Sequence, residues 1–318
     1  MPARRYENFH RLLVPFVNSI LSRSAHRRLG ASDNVKGICW MVAAMAAFAL
    51  EDAFVKAAAR QLPIGQLLIM FGLGGMLLFA AFPRRGGVGL LHAAARSRAM
   101  LVRAVFEFTG RLFYVLAIAL TPLSSATAIL QATPVLVVLG ASVYFGEKVG
   151  WRRWMAVVMG LVGVLVVLRP SAADFSWLSL LTIVGMVGFA GRDLASRAVS
   201  SALDTRHLGF YGFLTIVVAG ALYGAWDGRT FVRPPPESAA AVAAAIAIGV
   251  LAYTCLMKAM RTGDIATVTP FRYTRLLFGV GLGVVAFNEK VDAAMLLGCA
   301  IIAGAGLLIA WSGRRARR

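Results

Sequence analysis

The chain has 318 residues, of which 59% are hydrophobic and only 15% charged, and a formal net charge of +19. A soluble domain carries closer to a quarter charged residues, and here the apolar residues come in runs of about 18 to 22, the length that crosses roughly 30 Å of hydrocarbon. An ordinary soluble fold is excluded, and because strand alternation is weak throughout, so is a β-barrel.

Residues 1–35 form a basic segment in which Phe9, Leu12, Leu13, Phe16, Val17, Ile20 and Leu21 keep helical spacing. That pattern fits an amphipathic helix lying in the headgroup region, although Pro15 opposes a single straight helix. A targeting-like segment or a wrongly chosen start codon gives the same pattern. Ten spans follow, near 36–57, 64–82, 99–120, 123–145, 151–168, 175–196, 207–226, 238–258, 264–287 and 291–311. Leu62-Pro63, Pro83-Arg84-Arg85, Thr121-Pro122, Arg169-Pro170 and Pro234-Pro235-Pro236 separate them. Four linkers are very short, so the helices they join are expected to be antiparallel neighbours.

With the N-terminus in the cytoplasm, 23 Lys and Arg residues fall in cytoplasmic segments and only Arg60, Arg169, Arg229, Arg233 and Lys290 on the opposite side. So strong a positive-inside bias predicts that both termini are cytoplasmic, which requires an even number of spans. The positive charge is then mainly a topology signal, and no nucleic-acid partner is expected. Cys39, Cys255 and Cys299 lie in apolar runs without metal-like spacing, so no metal site is expected. No nucleophile elbow, HExxH or phosphate-binding loop is present, and neither an enzyme nor a cofactor is implied.

Phe145-Gly146-Glu147-Lys148-Val149 recurs as Phe287-Asn288-Glu289-Lys290-Val291, each copy between the last two spans of a five-helix half. Five is odd, so the second copy enters the membrane inverted. The expected fold is an all-α integral membrane protein, ten transmembrane helices as two inverted five-helix repeats, with a site near the midplane between them. The segments are 1–35, a first repeat 36–170, a second repeat 171–311 and a basic tail 312–318.

The run Thr121-Pro122-Leu123, Ala126-Thr127-Ala128, Thr133-Pro134, Gly146-Glu147-Lys148-Val149-Gly150-Trp151-Arg152-Arg153 and Leu168-Arg169-Pro170 resembles the EamA-type transporters of the drug/metabolite transporter superfamily. The resemblance spans roughly residues 36–311. In the second half Pro270-Phe271-Arg272-Tyr273-Thr274-Arg275-Leu276 departs from the commonest pattern and, with Arg192-Asp193-Leu194, is similar to a bacterial subset. The resemblance implies alternating access and a small-molecule substrate, in a multi-pass protein of the bacterial cell inner membrane. It does not name the cargo.

With the basic residues counted as cytoplasmic (Arg103 among them) and the acids at span ends set aside, nine charged side chains remain inside the spans: Lys56, Arg111, Arg192, Arg272, Arg275, Glu51, Asp52, Glu107 and Asp193. A charge at the bilayer centre costs on the order of 3 kcal/mol, so these groups must pair, face water or reach the interface. Lys56 can snorkel, and Arg192 and Asp193 lie near the inner end, which favours a structural role for all three. Glu107 and Arg111 stand four apart in the favourable acid-first order and are expected to share a face. Arg272 and Arg275 stand three apart and need partners from another helix or from cargo, with Glu51 and Asp52 as the remaining counter-charges. Gln131 and Thr133 flank Pro134, whose missing N–H frees a carbonyl. Tyr114, Tyr253 and Tyr273 can stack on a ring or simply pack.

The candidate substrate-binding or proton-coupling set is Glu51, Asp52, Glu107, Arg111, Gln131, Arg272, Tyr273 and Arg275. Charges of both signs suit a small polar or amphoteric metabolite, amino acid-like or anionic, carried by a secondary transporter. A proton or a counter-substrate is the candidate coupling partner, and the lipid bilayer is the other. Efflux of drugs or hydrophobic cations, and a non-transporting scaffold or receptor, are the alternatives. The oligomeric state is not encoded in any of these features.

Overall fold

The computed structural model describes residues 31–82, 89–145, 151–168, 176–197, 199–200, 203–262 and 268–315. The amphipathic pattern of residues 9–21 and the turn 146–150 lie outside these residues. Among them every regular element is helical: α1 Ala31–Ala59, α2 Ile64–Ala81, α3 Arg98–Leu120, α4 Leu123–Leu130, α5 Thr133–Phe145, α6 Trp151–Leu168, α7 Ser179–Arg197, α8 Thr205–Asp227, α9 Pro236–Thr262, α10 Thr274–Phe287 and α11 Ala293–Arg315. Four are long and apolar enough to cross a membrane: Asp33–Ala59, Ile64–Ala81, Thr205–Asp227 and Pro236–Ala259.

The boundaries follow from local chemistry. Pro63 and Pro122 stand at the starts of α2 and α4, where a missing N–H costs nothing. The Ser97 hydroxyl accepts from Met100 N to open α3, and Asp204 accepts from His207 N to open α8. Left-handed Gly228 ends α8 and left-handed Asn288 ends α10.

The expected fourth and ninth spans are interrupted. Pro134 lacks the N–H that would bond the Leu130 carbonyl, so α4 stops there, and the Thr133 hydroxyl donates to that carbonyl instead. In the ninth, a 3₁₀ turn over Thr269–Tyr273 containing Pro270 precedes α10. Broken helices are tolerated at membrane depth where they line a cavity.

Packing has an internal symmetry. Helices α1 and α9 pack together, as do α3 and α7; α1 meets α10 as α7 meets α4 and α5; α2 meets α9 as α8 meets α3. The pairs α2–α8, α4–α10 and α6–α11 complete the set. Exchanging α1 with α7, α2 with α8, α3 with α9, α4–α5 with α10 and α6 with α11 leaves this pattern unchanged, as expected for two copies about a two-fold axis. The outer faces are apolar, with Leu77, Val105, Leu222, Leu277 and Val285 all strongly exposed, while Glu51, Asp52, Arg103 and Glu107 are buried. Such an inside-out distribution suits a hydrocarbon surround.

A charged cavity between the repeats

The cavity has a volume of about 80 Å³ and is bounded by α1, α3, α4, α5, α7, α9, the 3₁₀ turn and α10. Its polar lining is Arg111, Tyr114, Gln131, Arg192, Asp193, Arg272, Arg275 and Thr133; Met45, Phe48, Leu130, Pro134, Phe189 and Leu256 supply the apolar part.

Two ionic systems surround it. In the first, adjacent carboxylates on α1 reach different helices. Glu51 Oε1 accepts from Arg111 Nη1 at 2.7 Å, and Asp52 accepts from both Arg275 Nη2 and, at 3.0 Å, the Tyr114 hydroxyl. In the second, Glu107 pairs with Arg103 at 3.1 Å and Arg192 at 3.2 Å, while Asp193 pairs with Arg192 at 2.9 Å and Arg272 at 3.0 Å. Gln131 Nε2 donates to the Arg272 carbonyl at 2.7 Å, fastening the α4–α5 break to the 3₁₀ turn. Aromatic faces hold the guanidinium groups: Phe71 lies 5.1 Å from Arg111, Phe189 4.8 Å from Arg192 and Phe48 5.2 Å from Arg275.

Five guanidinium groups (Arg103, Arg111, Arg192, Arg272 and Arg275) thus meet four carboxylates (Glu51, Asp52, Glu107 and Asp193), one positive charge in excess. Four of the arginines line the cavity, but only one of the carboxylates, Asp193, does so.

Of the expected site residues, Arg111, Gln131, Arg272 and Arg275 line the cavity. Glu51, Asp52 and Glu107 stand behind it as counter-ions. Tyr273 is buried outside the lining, and its hydroxyl has no hydrogen-bond partner among the described residues. The ion partners and the positions of several other charges differ from a simple reading of the spacing. Glu107 and Arg111, four apart on α3, take separate partners: Glu107 pairs with Arg103 and Arg192, and Arg111 with Glu51. Arg272 and Arg275 take their partners from other helices, as expected: Asp193 for the first and Asp52 for the second. Arg192 and Asp193, expected to be structural residues near the inner end, are part of the cavity wall. Arg103, expected in a cytoplasmic loop, is buried and also donates to Ser196 Oγ at 3.1 Å. Its i,i+4 spacing to Glu107 was the available signal. Lys56 does not snorkel outward; it donates to the Ile118 and Thr121 carbonyls at 3.0 and 2.6 Å. Among the described residues no group of three or more His, Cys, Asp or Glu side chains is placed to hold a metal.

An apolar-surfaced helical bundle with a charged cavity between two similarly packed halves defines a multi-pass membrane protein of transporter type. The EamA-like transporter family model matches residues 35–169 and again 176–311, and the chain belongs to that family. It is similar to the pseudopaline exporter of Pseudomonas aeruginosa, 26% identical over 268 residues that cover 84% of this chain and 93% of the relative. It is also similar to the riboflavin transporter of Rhizobium johnstonii, 26% identical over 289 residues (89% of this chain, 94% of the relative). The S-adenosylmethionine uptake transporter of Rickettsia prowazekii is 22% identical over 281 residues (88% and 94%). A crystal structure with a TM-score of 0.58 and 20% identity covers 87% of this chain and 98% of its own, which establishes likeness of fold alone.

Proposed function

We propose that this protein is a secondary transporter of a small metabolite bearing a carboxylate or phosphate, amphoteric cargo included, and that it works by alternating access between two inverted repeats. The observation that carries the reading is the cavity wall, where Arg111, Arg192, Arg272 and Arg275 stand with Asp193 as the one lining carboxylate. Guanidinium groups bind oxyanions bidentately, and a low-dielectric cavity between helices strengthens that attraction. Asp193, the one lining carboxylate, is placed to receive an ammonium group of amphoteric cargo. About 80 Å³ holds a few waters and is smaller than the roughly 300 Å³ of ordinary ligand sites, so cargo enters when the halves part. Glu51 and Asp52 are the counter-charges that an entering anion would partly displace from Arg111 and Arg275. The topology that goes with this reading is ten spans in the cell inner membrane with both termini cytoplasmic. The named relatives include an exporter and an uptake transporter, so direction does not follow from kinship.

Efflux of hydrophobic cations on the same fold fits less well, because such cargo calls for acidic linings and this one is cationic. Thermal stabilisation of the purified protein separates the two. Ligands that bind the folded state raise its stability by about 2.7 kcal/mol at a hundred times Kd. Small carboxylates, phosphates and amino acids should raise the Tm, and Arg272→Gln should remove the effect. Stabilisation by lipophilic cations alone would select the efflux reading instead.

A further inference from the structure

The recurring Phe-x-Glu-Lys-Val motif is not explained by the cavity, yet its second copy makes the densest polar contacts at one end of the bundle. Glu289 lies just past α10, and its two carboxylate oxygens accept from Leu123 N at 2.6 Å and Ser124 N at 2.9 Å, the first free donors of α4. Lys56 Nζ stands 3.7 Å from the same carboxylate while its other bonds go to the last carbonyls of α3. One ion pair therefore joins four elements: the end of α1, the end of α3, the start of α4 and the turn after α10. Anion at a helix N-terminus and cation at a helix C-terminus each match the local dipole.

The chain is shaped to make this contact. Left-handed Asn288 turns the backbone so that Glu289 N bonds Gly283 O at 3.0 Å, which folds the side chain back over α10. A Cβ on Gly283 would stand 3.1 Å from the Ser124 Cβ and would overlap the Glu289 carboxylate. Only a glycine lets the carboxylate pass between the helices.

The cavity lies away from this end. Its lining residues on α1 (Met45 and Phe48) precede Glu51, whereas Lys56 follows. On α4 and α5 they begin at Leu130, whereas Glu289 holds Leu123 and Ser124. Buried Thr127 lies between. Lys56 is also one helical turn beyond Asp52, so α1 and α10 are tied twice, by Asp52–Arg275 at the cavity and by Lys56–Glu289 at the end.

We infer that Glu289 and Lys56 form the latch of one transport gate, closed in this conformation, and that opening toward this end requires the Glu289 carboxylate to leave the N-terminus of α4. The inference rests on the alternating-access reading; the positive-inside bias puts this end outside the cell. Occupancy of Arg275 by an anionic cargo would loosen the lower tie of the same pair of helices, which links cargo to gate.

Labelling of a buried thiol tests it. In a background with Cys39→Ser, Cys255→Ala and Cys299→Ala, a Thr127→Cys reporter is treated with a membrane-impermeant maleimide in sealed vesicles of both orientations. A parallel Trp226→Cys reporter, 80% exposed at the same end, identifies the vesicles whose reagent reaches that end. There, Glu289→Gln should speed Thr127→Cys labelling about tenfold, the effect of losing one charge-assisted contact. Gly283→Ala, which keeps the acid but displaces it, should do the same if Glu289→Gln does not fold. An unchanged rate from that end in the folded variants overturns the latch. Labelling needs no cargo, so a failed transport assay would count against the proposed function and not against the gate.

Discussion

At the residue scale, the cavity arginines differ in what their loss would expose. Removing Arg275 leaves Asp52, 1% exposed, with only the Tyr114 hydroxyl, and stripping a buried charge of its partner costs about 3–5 kcal/mol against total stabilities of about 5–15 kcal/mol. Arg275→Ala is therefore expected to lower abundance and Tm before it reports on transport. Arg272 is the cleaner probe, because Asp193 keeps two contacts from Arg192 when Arg272 is neutralised. Arg272→Gln should leave folding near wild type while transport falls about 10- to 100-fold, the loss of one charge-assisted hydrogen bond. Equal transport by the two proteins would remove Arg272 from the cargo route. A smaller effect is expected at Asp204, outside the spans. Burial opposes its ionisation, but the hydrogen bonds from His207 outweigh that and hold its carboxyl below the usual range. A depressed folded-state value means that its contribution is present above the ordinary carboxylate pKa and fades as pH falls through the lower folded one. Asp204→Ala should cost about 1 kcal/mol near neutrality, and less in acid, in pH-resolved melting.

Element by element, the legible and the hidden separate along the same line. Apolar run length and the prolines located most of the helices within a few residues, the interrupted ninth excepted, and the position of Pro134 foretold a freed carbonyl beside polar neighbours. Choice of ion partner was hidden. Glu107 has an arginine four residues away on each side, and helical spacing alone favoured Arg111 by dipole order. The structure selects Arg103 and Arg192 because Glu51, on another helix, takes Arg111. The place of Arg192 and Asp193 in the cavity wall was hidden for a related reason: distance from a helix end gives height in the membrane, not whether a cavity reaches that height. Close approach was legible at the small-xxx-small pair Gly279 and Gly283 but not between α3 and α7. A Cβ on Gly188 of α7 would overlap the Gly110 backbone of α3, and the Phe106 carbonyl is 3.0 Å away. Gly188→Leu is thus expected to separate α3 from α7 and with them the Arg192–Glu107 pair, at about 1–3 kcal/mol or more. The readout is loss of folded protein in detergent, and a wild-type melting curve would show the contact to be slack.

For the whole molecule, the two halves are most informative where they differ. Their packing pairs exchange almost perfectly, yet the charged residues do not: α1 places two adjacent carboxylates behind the cavity, whereas its counterpart α7 brings Arg192 beside Asp193 into the wall. On the proposed mechanism the repeat supplies the means of alternation, and the asymmetry gives the cavity lining its sign. That sign is the feature on which the proposed cargo depends. The direct measurement is a metabolite profile of cells and medium, comparing overexpressed wild type with Arg272→Gln at equal membrane abundance. At least one carboxylate- or phosphate-bearing metabolite should shift between cells and medium with the wild type and return toward the control with the variant. A shift confined to neutral or cationic compounds, or one that Arg272→Gln leaves intact, would contradict the assignment of the arginine wall as the cargo site.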